Sequence, residues 1–298
     1  MASTPESISV LGLGNMGAAL ASVFLDTGHP VTVWNRTIEK AQPLVSKGAK
    51  VAKDPADCAQ SGTLVLICLV SDEVVRDVFD KISTLLGRTV INFTTSRPQW
   101  EMGTADIVSN KLRASGYLHG WINSFPSEVK DQQATITYSG LKPVFTQQKH
   151  ILQLLGKAAW LSDDHRKICL LENAALLMFA GVCAAFFQSL AMAGAAGADT
   201  LDFTRQVLLP PLQMFQQFLP QMAKRDQDQS YSFTGDSVSV GTMLGVVSNA
   251  RETAEVSGVS ARLLEDFHAL LRQAEESGKG LEDISAMIRM LRAGVHQR

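Results

Sequence analysis

Cysteine is scarce in this chain: Cys58, Cys68, Cys169 and Cys183 are the only four, and no two of them form a C-x-x-C pair. The six histidines share no ligand spacing on a common helix. These absences exclude a disulfide framework and a patterned metal site, so free buried thiols and no metal are expected. Charge is also sparse, at 19% of residues, and nearly balanced at −2. That argues against nucleic acid or an anionic membrane as the main partner. The polar start Met1–Ser7 lacks the basic and apolar regions of a signal peptide, and the expected compartment is the cytosol. No repeat period is visible. What remains is 298 residues, 46% of them hydrophobic, which describes a soluble globular protein with room for two domains.

The stretch that organises the chain is Ile8–Gly17, a short apolar strand running into Gly12, Gly14 and Gly17 and then into Ala18-Ala19-Leu20-Ala21. This G-x-G-x-x-G follows a strand and opens a helix, which is the context of a dinucleotide site. Gly12 turns tightly, Gly14 lets backbone approach a pyrophosphate, and Gly17 lets helix and strand pack closely. Gly12, Leu13, Gly14, Asn15, Met16 and Gly17 are therefore expected to hold cofactor, with the phosphates on the helix N-terminus near Asn15.

The next strand, Val31–Trp34, ends where the adenosine ribose belongs, and an NAD enzyme usually places Asp or Glu there. Here the residues are Asn35, Arg36 and Thr37. A guanidinium fork and a hydroxyl can bind a 2′-phosphate that a carboxylate would repel, so NADPH is expected over NADH. Lys40, one turn beyond Thr37, adds a second positive charge.

From Ile8 to about Ser162 apolar strands alternate with amphipathic helices, the pattern of a parallel sheet covered on both faces. Further strands are expected at Leu64–Leu69, Thr89–Phe93, Gly116–Ile122 and Ala134–Tyr138, with helix N-caps at Ser71 and Ser96. Ligands bind beyond the carboxyl ends of such strands, so Leu69, Val70, Ser71, Thr94, Thr95 and Ser96 should face the cofactor. From about Asp164 to Ala198 a long helix carries no formal charge after Glu172. About 20 apolar residues suffice to span a membrane. Gln188, abundant Ala and Gly and the lack of clustered basic flanks favour instead a helix buried on all sides. One small domain does not supply enough cover, which points to a dimer. The rest is helical, with breaks expected at Pro210-Pro211, Pro220, Lys224–Ser230, Gly235, Gly258 and Ser277–Gly280. The stripe Leu263-Leu264, Phe267, Leu270-Leu271 reads as core packing. Phe215, Phe218 and Tyr231 take no assignment beyond packing.

Gly12–Gly17, Val33–Thr37, His119-Gly120-Trp121-Ile122 before Pro126, Tyr138-Ser139-Gly140 and the long helix together resemble the imine reductases and fungal reductive aminases, a branch of the β-hydroxyacid dehydrogenase superfamily. The resemblance covers nearly the whole chain. It implies an α/β fold with an NADP-binding Rossmann domain over 1–162, an interdomain helix over 163–198 and an all-helical dimerisation and substrate domain over 199–298. It also implies NADPH as cofactor, a small-molecule substrate and a homodimer with interleaved helical domains. The superfamily's dehydrogenases carry a catalytic lysine on the long helix, where imine reductases carry Asp or Tyr. Counting back from Gln188-Ser189-Leu190-Ala191 puts Glu172 at that position, five residues beyond Lys167-Ile168-Cys169. Two departures bear on amine handling: Thr95 stands where reductive aminases have Asn, and Ala180 where they have an aromatic.

On these residues the expected activity is NADPH-dependent reduction of a C=N bond, with Glu172 supplying a proton or negative charge and Thr95, Asn123 and Ala180 toward the substrate. A carboxyl set among Leu170, Leu171, Ala174 and Ala175 should bind its proton more tightly than in water. The alternative for Glu172 is an ion pair with Arg166 or Lys167. Two other readings of the chain remain: a C–O oxidoreductase that uses Lys167, and a dinucleotide-binding protein without turnover.

Overall fold

The computed structural model describes residues 5–235 and 237–293; of the polar start, the first four residues lie outside them. Eight strands form one sheet: β1 (Ile8–Leu11), β2 (Val31–Trp34), β3 (Lys50–Val51), β4 (Leu64–Ile67), β5 (Thr89–Asn92), β6 (Gly116–Ile122), β7 (Thr135–Ser139) and β8 (Lys157–Ser162). Their order is β3-β2-β1-β4-β5-β6-β7-β8. The order reverses between β1 and β4, which pair in parallel from Ile8↔Leu64 to Leu11↔Ile67. A crevice therefore opens beyond the carboxyl ends of these two strands.

The helices of this first part are α1 (Asn15–Asp26), α2 (Gln42–Val45), α3 (Pro55–Ser61), α4 (Asp72–Phe79), α5 (Pro98–Asp106), α6 (Pro126–Lys130), α7 (Lys142–Leu152) and α8 (His165–Ala195). Strand alternation divides the core between the two faces of the sheet. Val10, Leu64, Leu66 and Ile91 pack with Leu20 and Phe24 of α1 and Phe145 of α7. Leu11, Val65, Ile67 and Val90 pack with Val75, Val78 and Phe79 of α4. Burying each such side chain contributes about 1.5–3 kcal/mol, which makes the sheet the rigid base of the site.

Three features differ from the sequence expectation. The sheet is not wholly parallel, because β7 runs antiparallel to β6, and an apolar run carries no mark of its direction. Strands β3 and β8 were not anticipated: β3 is two exposed residues at the sheet edge, and β8 is only half-buried. Ser96 is not an N-cap. Arg97 takes that position, and the Ser96 hydroxyl instead donates to Asp72 Oδ1 at 2.5 Å. Ser71 does cap α4, accepting from the Val74 amide.

The chain divides into two compact units, Met1–Leu177 and Met178–Arg298, with the boundary inside α8. The second unit holds α9 (Thr200–Phe203), α10 (Leu209–Gln227), α11 (Val240–Val256), α12 (Arg262–Ala274) and α13 (Met287–Ala293). Its core gathers Val240, Val247, Leu271, Ala274, Ile284 and Met287. Of the expected apolar stripe, Leu271 is buried but Leu263 and Phe267 are exposed. Pro220 does not break the chain; it lies inside α10, where it removes one backbone hydrogen bond without ending the helix.

The burial expected for α8 is not complete within one copy. This helix is long and apolar enough to cross a membrane, with a mean hydropathy of 2.0, and the sequence favours burial on all sides. Only 17% of its most apolar stretch is buried in this chain; Leu177 is 75% exposed and Phe187 64%.

Candidate active site

The glycine motif is shaped by contacts between neighbouring loops. Gly12 has φ +102°, and a Cβ there would collide with the Cys68 carbonyl just beyond β4. A Cβ on Gly17 would collide with the Gly12 carbonyl. Both glycines are therefore required by the fold itself. Gly14 differs: a Cβ there would meet nothing of the protein within 4 Å. It is the N-cap of α1 and provides no capping side chain, so the first-turn amides are without a side-chain acceptor. An open cradle in front of uncapped amides fits a pyrophosphate.

Asn15 is exposed and Met16 half-buried. Leu13 is buried, and its amide donates to Asn35 Oδ1 at 2.9 Å. Asn35 Nδ2 donates to the Thr37 carbonyl at 2.9 Å. The Asn35 side chain thus ties the glycine loop to the turn after β2, a shaping role that Leu13 shares through its spent amide. Arg36, Thr37 and Lys40 are exposed, and neither cation is in an ion pair among the described residues. Thr37 begins its short helix without a side-chain cap bond, which leaves its hydroxyl available. Two free cations and a hydroxyl fit a ribose 2′-phosphate.

Beyond β4, Leu69 is half-buried, Val70 86% exposed and Ser71 committed to its cap. Thr94 turns inward. Its Oγ1 accepts from the Leu69 amide at 3.0 Å, and its own amide donates to Asn92 Oδ1 at 3.0 Å. It braces the β4 and β5 loops against each other. Asp72 fixes the next residues, accepting from the Ser96 hydroxyl and from Arg97 Nε. The Arg97 and Arg76 guanidiniums each lie 4.5 Å from the Trp100 ring centre.

The first turns of α8 dock on this braced loop through two consecutive residues. Thr95 Oγ1 donates to Glu172 Oε1 at 2.7 Å, and Asn173 Nδ2 donates to the Ser96 carbonyl at 3.0 Å. Glu172 is 4% exposed, although the neighbouring Leu170 and Leu171 face outward. The expected apolar setting is thus replaced by a polar one. Nor does Glu172 pair with Arg166, which bonds Asp164, or with Lys167, which is exposed. Its second oxygen, Oε2, lies 3.4 Å from His119 Nε2. Asn123 is exposed and follows β6, whose parallel register with β5 sets it beyond the same carboxyl edge as Thr95. Ala180 belongs to the second unit and is exposed.

Sequence reasoning did not reach the cluster beneath Glu172. On β6, His119 is fully buried, with Nδ1 2.9 Å from Glu101 Oε2 on α5. Tyr117 donates to Glu101 Oε1 at 2.7 Å. Burial works to raise the Glu101 carboxyl, but the His119 ring, with help from Tyr117 and His165, outweighs it and holds the group low. Burial likewise works to lower His119, but the Glu101 and then the Glu172 carboxylates push it up to about 10. Glu101, His119 and Cys169 bring one donor atom each within 4.8 Å of one another. Both ring nitrogens face carboxylates, and burial pushes the Cys169 thiol up. The signal in the sequence was a histidine inside a buried strand and a glutamate on the inner face of α5. Of the thiols, Cys58 and Cys169 are buried, while Cys68 and Cys183 are only half-buried.

In the second unit a cavity of about 980 Å³ is lined by apolar side chains including Phe186, Phe215, Phe218, Met243 and Phe267. Tyr231 is instead buried, its hydroxyl bonded to Asp226.

Residues 7–162 match the NAD binding domain of 6-phosphogluconate dehydrogenase, and residues 164–293 match the NADPH-dependent reductive aminase-like C-terminal domain. The chain is 32% identical over 293 residues to the NADPH-dependent reductive aminase of Aspergillus oryzae, covering 97% of this chain and 98% of the other. It superposes with a TM-score of 0.90 on the reductive aminase from Aspergillus terreus in complex with NADPH and ethyl levulinate, at 30% identity over 97% of this chain and 100% of that one. The imine reductase from the same organism gives 0.84 at 30% identity with the same coverage. With its two halves matched in order and 97% of its length shared with these relatives, the chain belongs to the imine reductase and reductive aminase family of oxidoreductases.

Proposed function

We propose that this protein uses NADPH to reduce a C=N bond, in an imine or iminium that is either preformed or made from a carbonyl and an amine. The observation that carries the reading is the buried Glu172 carboxyl, bonded to Thr95 in the loop beyond β5. NADPH is favoured by the open cradle at Gly14 and by the free Arg36, Thr37 and Lys40 beside Asn35. When bound, the cofactor supplies the hydride. The chain's own residues then orient the substrate and bear on its charge. Glu172 stabilises positive charge at the reacting nitrogen, Thr95 fixes the carboxyl's orientation, and Asn123 contributes an amide from the same edge. Lys167 would be the acid or base for C–O chemistry, but it is exposed, on a different face of α8 from Glu172.

The same reading takes the protein as a cytosolic homodimer, with the division 1–162, 163–198 and 199–298 marking Rossmann domain, connecting helix and dimerisation domain. Support comes from α8, whose apolar side chains stand exposed in one copy, and from the apolar cavity of the second unit. The test of the activity is NADPH oxidation with a panel of cyclic imines, and with ketones in the presence and absence of an amine. Turnover of imines, or of ketones only with amine, is expected. Turnover of ketones alone at equal rate would contradict the proposal.

A further inference from the structure

His119 sits at the centre of a three-group chain that reaches the candidate active site. Its register on β6 sets it between Asn92 on β5 and Ser139 on β7, and none of its side chain is exposed. Two carboxylates from two helices face its two nitrogens: Glu101 on α5 at Nδ1 and Glu172 on α8 at Nε2. The other titratable groups around it are Cys169 and His165 of α8 and Tyr117 of β6. Glu101 accepts from Tyr117 and from Asn92, and the remaining oxygen of Glu172 accepts from Thr95. Nδ1 makes no well-aligned hydrogen bond, but both carboxylates stand within ion-pair distance of the ring, and an imidazolium places positive charge between them. Two buried carboxylates without a cation between them would also repel one another.

We infer that His119 is a positioning residue that, as an imidazolium shared between Glu101 and Glu172, presents Glu172 to the substrate as a carboxylate acceptor and not as a proton donor. The inference rests on the reading of Glu172 given under Proposed function. Its chemical consequence is that the substrate is bound as a cationic iminium. Hydride forms the new C–H bond, the C=N π pair becomes the lone pair on nitrogen, and a neutral amine leaves without taking a proton from Glu172. Burial opposes the charge on the ring, and the two carboxylates outweigh it, which carries the imidazolium up to about pH 10.

Two measurements test this on the full-length protein with NADPH. The first follows kcat/KM against pH with N-methyl-3,4-dihydroisoquinolinium, a substrate that holds its charge and carries no proton on nitrogen. Turnover is expected, with a basic limb near pH 10 that disappears in His119→Gln, alongside a fall of at least about tenfold from loss of a charge-assisted contact. Reduction of a protonatable imine without any reduction of this iminium would overturn the inference, because an acid would then be needed. So would a His119→Gln profile that merely parallels the wild type at a lower level. The second measurement is independent of turnover and of that variant's folding: the ring nitrogens of His119 are followed by NMR in 15N-histidine-labelled protein. A doubly protonated ring at pH 7.5, titrating near 10 and at lower pH in Glu101→Gln, is expected; a neutral ring at pH 7.5 overturns the inference. Glu172→Gln, read beside the titration of the wild-type ring, separates the two claims. If the variant retains turnover while the wild-type His119 ring titrates near 10, the reading of Glu172 fails; if the variant is inactive while the wild-type ring is neutral at pH 7.5, the role of His119 fails.

Discussion

Thr95 and Glu172, separated by 77 residues, meet through a 2.7 Å hydrogen bond from the threonine hydroxyl to the glutamate Oε1. The bond joins the loop after β5 to the long helix. Its neighbours reinforce it: Asp72 holds Ser96 and Arg97 from one side, and Asn173 holds the Ser96 carbonyl from the other. A threonine braced this closely has little freedom to lose when substrate arrives.

Thr95→Val keeps the volume and removes the donor. A hydrogen bond to a charged group is worth about 1.5–3 kcal/mol, so kcat should fall about 10- to 100-fold while NADPH affinity is unchanged. Steady-state kinetics and NADPH fluorescence titration check the two halves. A variant with wild-type kcat would remove Thr95 from the mechanism.

The three glycines should respond differently to alanine. Gly14→Ala places a methyl in the empty cradle, so the fold should survive within about 0.5 kcal/mol while NADPH binding weakens sharply. Gly12→Ala and Gly17→Ala meet backbone carbonyls and should lose folded stability as well. Thermal unfolding of each variant with and without NADPH distinguishes the cases.

Arg36→Ala should raise the KM for NADPH about 10- to 100-fold and leave that for NADH nearly unchanged, since only the 2′-phosphate needs the guanidinium. Equal loss for both cofactors would assign Arg36 to the shared ribose or to stability.

The proposed homodimer would cover the exposed apolar face of α8. Light scattering should give twice the 32.3 kDa mass of one chain, and Phe187→Asp should halve it. A monomeric wild-type protein would leave that face without an occupant and would contradict the dimer.

Stability should fall as pH rises from neutral through about 10. The folded protein raises His119 from 6.5 to about 10, so below 6.5 its contribution is fully present. Between the two values the folded state holds a proton that the unfolded state has released, and the contribution is lost as pH passes the folded value. Melting temperatures of the wild type and of His119→Gln between pH 6 and 10.5 should converge toward the alkaline end.

The dinucleotide half was readable because its information is local: glycine spacing, a strand before it, a helix after it, and Asn35-Arg36-Thr37 in place of an acid. Position along α8 drew attention to Glu172, but its surroundings were misjudged, because a helix turned by 100° per residue can bury Glu172 while Leu170 and Leu171 face outward. The Glu101–His119 pair was out of reach, since its members are 18 residues apart on α5 and β6, and only the folded packing of that helix on the sheet brings them together. Strand direction at β7 and the two marginal strands β3 and β8 were equally hidden, because short or half-exposed runs carry little periodic signal.

The most direct measurement of the central claim is single-turnover NADPH oxidation with a cyclic imine in the wild type and Glu172→Gln, at saturating cofactor. The account predicts a rate reduced about 10²- to 10³-fold in the variant, with NADPH binding and melting temperature preserved. A variant that reduces the imine at the wild-type rate would contradict it.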